Sequence, residues 1–157
     1  MLVKKKGMPK KVNIFSGKLF SLQLKKALFY AFLEARRQKI NVIDSQLLLF
    51  GLLKTNDSSI NRLFQKIYKT RTLSQNPIEK LINKLKVNFQ FKSESITFSV
   101  DREFPNFSRP VKRLLFFLVR LGKKEQVTVI TTLQVLTHLL RHKSLAKLVK
   151  DSLIMKI

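Results

Sequence analysis

Two histidines stand four residues apart near the end of the chain, at His138 and His142. On a helix, side chains at this spacing share one face and can bind the same metal ion. The chain has no cysteine, and no third histidine or nearby acid completes a ligand set. We therefore interpret the pair as surface or partly packed histidines and predict no metal site.

The acidic residues show no arrangement that would support catalysis. Nine Asp and Glu residues are scattered along the chain without a recognisable acid–base pair. Asp44 and Asp57 each precede a stretch of helical periodicity, where a carboxylate caps the helix N-terminus. No G-x-x-x-x-G-K-[ST] loop is present to bind the phosphates of a nucleotide. We expect neither an enzyme nor a bound cofactor.

Cationic side chains far outnumber anionic ones. Lys and Arg total 32 against 9 Asp and Glu, a formal net charge of +23. Binding to RNA, a ribosome, an anionic membrane surface or an acidic protein would offset the repulsion among these positive charges. An equally weighted alternative is that the charges form a solvated surface that binds no partner. Residues 1–19 form a basic arm, whose candidate anion-binding side chains are Lys4, Lys5, Lys6, Lys10, Lys11 and Lys18. No apolar run approaches the roughly 18 residues of a transmembrane helix, so we expect a soluble or peripheral protein.

The elements that would position these residues occur twice along the chain. FSLQLKKALFYA (20–31) aligns with FSRPVKRLLFFL (107–118), and VIDSQLLLFGLL (42–53) aligns with VITTLQVLTHLL (129–140). Both pairs share one offset, and apolar residues recur on the same helical face in each copy. The chain is therefore predicted to contain a duplicated helical unit whose apolar faces pack on each other.

Capping residues and proline mark where the helices begin. We predict helices after Ser21, after Asp44 or Ser45, after the Asp57–Ser59 segment and from Pro77, and matching helices after Ser108, from Thr131 or Thr132, and from Ser144. Alternating apolar residues in VNFQFKSESITFSV (87–100) predict a β-hairpin between the two copies. Phenylalanines in the helical patterns are expected in the core, namely Phe29, Phe32, Phe64, Phe116 and Phe117. A packed face is favoured over base stacking for Phe89, Phe91 and Phe98.

The two copies resemble the double repeat of the Clp ATPase N-terminal domain family. Its repeat opens with Phe and Thr or Ser, carries spaced alanines ending in Glu-Ala, and continues into Gly-Thr-Glu-His-Leu-Leu-Leu-Gly-Leu. The corresponding residues of the first copy are Phe20, Ser21, Ala31, Glu34 and Ala35, followed by Asp44 to Leu52. The second copy keeps Phe107, Ser108, Thr132, Leu136, Leu139 and Leu140. The resemblance implies a stand-alone form of the domain without the AAA modules.

The resemblance also implies a fold, a function and a set of binding residues. The fold would be mainly all-α, a duplicated four-helix repeat in a pseudo-twofold bundle, with repeat one at 20–86, the hairpin linker at 87–106 and repeat two at 107–157. In some family members, a Thr or Ser and a Glu in each half bind phosphoarginine. The matching protein-binding residues here are Ser21 with Gln46 and Ser108 with Leu133, so neither acid is present.

We therefore expect a non-catalytic accessory or adaptor-type protein that binds a Clp ATPase, a Clp protease subunit or their substrates. A basic protein that contacts RNA or a ribosome through the same fold is the alternative. Residues with AT-rich codons, such as Lys, Asn, Ile and Phe, far outnumber Gly, Ala, Arg and Pro. The expected location is the plastid stroma if a plastid encodes the chain, and otherwise the cytoplasm of an AT-rich bacterium.

Overall fold

The fold is helical in both halves of the chain. A computed structural model describes residues 20–68, 77–95, 106–125 and 129–153. The elements in chain order are α1 (Leu22–Arg37), β1 (Val42–Ile43), α2 (Ser45–Lys54), α3 (Ser58–Tyr68), α4 (Pro77–Ser95), β2 (Asn106–Phe107), α5 (Arg109–Lys124), α6 (Thr132–Leu139) and α7 (Lys143–Leu153). The prediction of a mainly all-α fold is confirmed. None of the helices in these ranges is both long and apolar enough to pass through a bilayer.

The predicted capping residues begin the helices of both halves. Ser21 Oγ accepts a hydrogen bond from the Leu24 N–H at 3.1 Å, and Ser108 Oγ accepts one from the Val111 N–H at 3.4 Å. Asp44 caps α2 in the same way, with its Oδ1 3.0 Å from the Leu47 nitrogen. These side chains satisfy N–H groups that a helix leaves without an internal partner. The register of the duplicated helices is therefore fixed locally at each N-terminus.

Helix α2 lies at the centre of the core. It packs against β1 and four helices, α1, α4, α5 and α6. Residues 47 to 53 are all buried, so this helix is apolar all round, as a helix enclosed by others must be. The outer helices α1 and α5 each bury one stripe, α1 mainly against α2, and α5 against α6 and α2. The two stripes occupy equivalent positions: Leu24, Ala27, Leu28, Ala31 and Ala35 in α1, and Val111, Leu114, Leu115, Leu118 and Gly122 in α5.

Short extended segments join the two halves, because the start of each half pairs with a helix connection of the other half. The start of the second half pairs with the α1–α2 connection of the first, where β1 and β2 are parallel and Ile43 is opposite Phe107. The start of the first half pairs in turn with the α5–α6 connection, through a parallel bridge between Phe20 and Ile130. The hydrogen bonds are equivalent: Ser108 N–H donates to Ile43 O and Ser21 N–H donates to Ile130 O, both at 2.9 Å. Each half thus completes the other.

The predicted β-hairpin is wrong over the part that the structure describes. Residues 87 to 95, which would hold its first strand and turn, belong to α4, while residues 96–100 lie outside the described ranges. Leu81, Leu85 and Phe89 recur every four residues and are fully buried, and the Phe89 ring meets Phe50 edge to face at 5.6 Å. Val87 is 50% exposed because residues two apart point in different directions on a helix. The apolar spacing of four residues therefore determines the structure here, and the alternation of apolar and polar residues does not.

The prediction of a core position is wrong for three of the five phenylalanines. Phe64 is buried and Phe32 packs against the core, but Phe29 is 52% exposed and Phe116 and Phe117 are nearly as exposed. They lie beside the apolar stripes of α1 and α5, whose inward positions are already filled. Phe89 is buried, as a packed face requires, although on a helix. The side chain of Phe91 and all of Phe98 lie outside the described part of the chain.

Gly51 lets α1 and α2 approach closely. A Cβ built at this position would collide with the Ala27 carbonyl oxygen and lie 3.1 Å from the Ala31 Cβ. The backbone of α1 therefore occupies the space that any larger residue would need. In the first half, the close contact is therefore between Gly51 of α2 and Ala27 and Ala31 of α1.

Replacing Gly51 with alanine tests this approach. Alanine favours a helix over glycine by about 1 kcal/mol, so without the contact the substitution would stabilise the protein. We instead expect the free energy of unfolding, measured with urea, to fall by about 1 to 3 kcal/mol, the usual cost of overpacking a core. Gln23→Ala, on the exposed face of α1, is the control and should change it by less than about 0.5 kcal/mol. A Gly51→Ala protein more stable than the parent would contradict the packing.

Candidate functional site: a groove between the two halves

Three helix N-termini meet at a groove between the two halves. The first turns of α2, α5 and α7 surround it, and its volume is about 360 Å³. Its walls are formed by Asp44, Ser45, Gln46, Ser108, Pro110, His142, Ser144 and Leu145. Pairing between β1 and β2 brings Ser108 beside the α1–α2 connection, which explains why residues from both halves line one groove.

Hydrogen bonds within and between helices hold the polar groups of the groove. Asp44 and Ser108 use side-chain oxygens to cap α2 and α5. Gln46 Oε1 accepts a hydrogen bond from Asn88 Nδ2 of α4 at 3.3 Å. Helix N-termini carry partial positive charge, and Asp44 supplies a carboxylate beside them. The groove therefore offers donors and acceptors to a polar segment, and residue 46 supplies a neutral amide where the resemblance has an acid.

At the equivalent place on the other side of the molecule, a hydrogen bond joins two helix starts. Thr132, at the start of α6, donates its hydroxyl hydrogen to Asp57 Oδ2 at 2.8 Å and ties α6 to the start of α3. In the groove, Ser45 occupies the position equivalent to Thr132, and His142 precedes α7 as Asp57 precedes α3. The backbone is alike, since Asp57 O and His142 O accept from Asn61 N–H and Ala146 N–H. The two copies therefore differ in whether a carboxylate joins these two helix starts by a hydrogen bond.

Asp57 titrates abnormally because of these contacts. Burial by itself raises the pKa of the Asp57 carboxyl, but hydrogen bonds from the Thr132 hydroxyl and from Ser59, with the Arg62 charge, lower it further than burial raises it. Ser59 donates both its N–H, at 2.9 Å, and its hydroxyl, at 2.8 Å, to Oδ1. The net pKa lies below the ordinary value of 3.8, so the contacts favour the ionised carboxylate.

Stability should consequently depend on pH through Asp57. A pKa lowered by folding contributes stability above the unfolded value of 3.8, and this contribution is lost as the pH falls through the folded pKa. We expect the difference in free energy of unfolding between the parent and Asp57→Asn to be largest above about pH 5 and to shrink below pH 3.8. Urea titrations at a series of pH values measure it.

Thr132→Val removes the hydroxyl donor and keeps the shape of the side chain. It should cost about 1 kcal/mol near neutral pH and weaken the same pH dependence. Parallel stability curves for the parent, Asp57→Asn and Thr132→Val over this pH range would show that the contact between α3 and α6 is not formed.

The structure brings together some of the protein-binding residues that the sequence singled out. Gln46 and Ser108 line the groove. Ser21 lies at the other exchanged segment, bonded to Ile130, and Leu133 is half-buried on α6. The exchange of segments therefore places Ser108, rather than Ser21, beside Gln46. The lysines of the basic arm lie outside the described residues.

Sequence reasoning missed most of the groove. The sequence predicts only a capping role for Asp44 and indicates that His138 and His142 are surface or partly packed residues. His142 is exposed and lines the groove. His138 is partly buried, with its Nδ1 3.0 Å from Gln134 O and its ring 5.4 Å from that of Phe117. Within the described ranges no group of three or more His, Asp or Glu side chains could hold a metal ion. Comparing the residues that precede α3 and α7 would have indicated the difference between the two sides.

Comparison with known families agrees with the fold. The sequence model of the Clp repeat N-terminal domain matches residues 19–152, which include nearly all of the described helices. No curated protein matches the chain closely enough to count as a relative.

Proposed function

We propose that this chain, which belongs to the Clp repeat N-terminal domain family, is a non-catalytic accessory or adaptor-type protein of the Clp chaperone and protease system. The observation that carries the proposal is the family match over both halves, from before α1 into α7. Its partner would be a Clp ATPase, a Clp protease subunit or a protein substrate. The proposed place of action is a plastid stroma or the cytoplasm of an AT-rich bacterium.

The groove is the proposed contact surface for that partner. It joins residues of both halves, and its walls combine a carboxylate, an amide, hydroxyls and helix N-termini. Such a site suits an extended polar segment that both donates and accepts hydrogen bonds. A guanidinium group favours a carboxylate fork, and Gln46 and Leu133 supply none at the positions that the family resemblance indicates. The proposed ligand is therefore a polar protein segment rather than an arginine derivative.

Affinity purification with a blocked groove tests this proposal. The tagged protein is used to capture partners from a lysate of its source at moderate salt, and Clp subunits are identified by mass spectrometry. Ser144→Trp places a large side chain on the exposed wall of the groove and should reduce their recovery at least about tenfold, as expected for a blocked contact.

The control is Ser58→Trp, which places the same side chain on the exposed first turn of α3, the helix equivalent to α7. It should leave the recovery unchanged. Absence of Clp subunits from the parent sample would refute the proposed function. Equal recovery with Ser144→Trp would refute the groove as the contact surface.

A further inference from the structure

The outward face of α5 is formed almost entirely by cations and aromatic rings. Within α5 the exposed side chains other than Pro110 are Arg109, Lys112, Arg113, Phe116, Phe117, Arg120, Lys123 and Lys124. The spacing of three and four residues aligns them along one side of the helix. No acid occurs within the helix, and the described part of the chain contains a single ion pair, between Arg37 and Glu34 of α1. The six cations of α5 are therefore available to an anionic partner.

The outward faces of α1 and α5 differ at two equivalent positions. Phe29 corresponds to Phe116, and the cations at residues 25, 26, 36 and 37 have cationic equivalents in α5. Leu22 and Leu33, both exposed on α1, correspond to Arg109 and Arg120. The second copy thus has two arginines where the first exposes aliphatic side chains. Neither substitution affects the core, because all four positions face outward.

The aromatic residues lie in the middle of this cationic row. Phe116 is 47% exposed and Phe117 is 46% exposed, with Arg113 one turn before them and Arg120 one turn after. The Phe117 ring also packs at 5.4 Å against the His138 ring, which holds it in place. Rings fixed between cations are the arrangement with which proteins bind single strands, since bases stack on the rings while phosphates meet the cations.

We propose that the outward face of α5 binds single-stranded RNA. The cations would contact successive phosphates, and Phe116 and Phe117 would stack against unpaired bases. Half of the six cations are arginine, although lysine far outnumbers arginine in the whole chain. Arginine matches phosphate oxygens with a planar fork and also stacks on bases, so its local enrichment favours a nucleic acid.

An anionic membrane is the competing partner. Binding at a bilayer surface increases with the apolar area that enters it. On α5 the aliphatic residues Val111, Leu114, Leu115 and Leu118 face the core, and the large apolar side chains that are exposed are the two phenylalanines. The aliphatic exposed stripe lies instead on α1. The charge and aromatic pattern of α5 therefore favours RNA.

Fluorescence anisotropy with a labelled 15-nucleotide oligouridine tests the proposal in the full chain. The triple variant Arg109→Gln, Arg113→Gln, Arg120→Gln should weaken binding about tenfold near 0.1 M salt and reduce the slope of log K against log salt by about 2, or about 0.7 for each lost phosphate contact. Phe116→Leu with Phe117→Leu should weaken binding about tenfold and leave the slope unchanged, because it removes stacking and no charge.

The matched control removes the same charge from the equivalent helix, with Lys25→Gln, Lys26→Gln and Arg36→Gln in α1. It should retain most of the RNA affinity. Equal weakening by the two triple variants would show that net charge, including the basic arm, accounts for binding and would overturn the proposal. So would binding to phosphatidylserine vesicles that depends on the α5 cations without binding to RNA. Circular dichroism checks that each variant remains folded.

This proposal does not depend on the proposed Clp function. The substitutions lie on the outward face of α5 and none of them lines the groove. Loss of RNA binding with normal capture of Clp subunits, or the reverse, would separate the two.

Discussion

The exchanged pairing between the halves determines the rest of the structure. Ser21 N–H donates to Ile130 O and Ser108 N–H donates to Ile43 O, so each repeat begins on the connection of the other. Neither extended segment would find these partners within its own half. The exchange places α2 beside α6 at the centre, completes the core around them and brings Ser108 to the groove beside Gln46. A change that breaks one pairing is therefore expected to affect both halves.

Function on this scaffold is proposed to come from differences between the two copies. On one side a hydrogen bond joins Asp57 to Thr132, and on the other side His142 and Ser45 line a groove. On the outer helices, α1 exposes Leu22 and Leu33 where α5 has Arg109 and Arg120. Duplication supplies two similar backbones, and a few substitutions at exposed positions give each side its own chemistry. The core positions, by contrast, must stay apolar in both copies.

Local patterns predicted the helices well, and tertiary packing explains the failures. The caps at Ser21, Asp44, Ser108 and Thr131 were visible because a capping residue acts within its own turn. The alternation at Val87, Phe89 and Phe91 was misleading because the core accepts Phe89 as part of a helical stripe begun at Leu81. The exposed phenylalanines were missed since hydrophobicity alone does not show that the inward positions are filled. The groove is formed by residues that are distant in sequence. The offset between the two copies was the only feature of the sequence that could have related them.

Native-state hydrogen exchange tests most directly whether the two halves form one cooperative unit. The account predicts that the amides of Ser21 and Ser108 exchange with the same free energy of opening as the buried amides of α2, because freeing either one requires both halves to separate. Exchange of one of these amides through a low-energy local opening, while the other remains as protected as α2, would contradict the account.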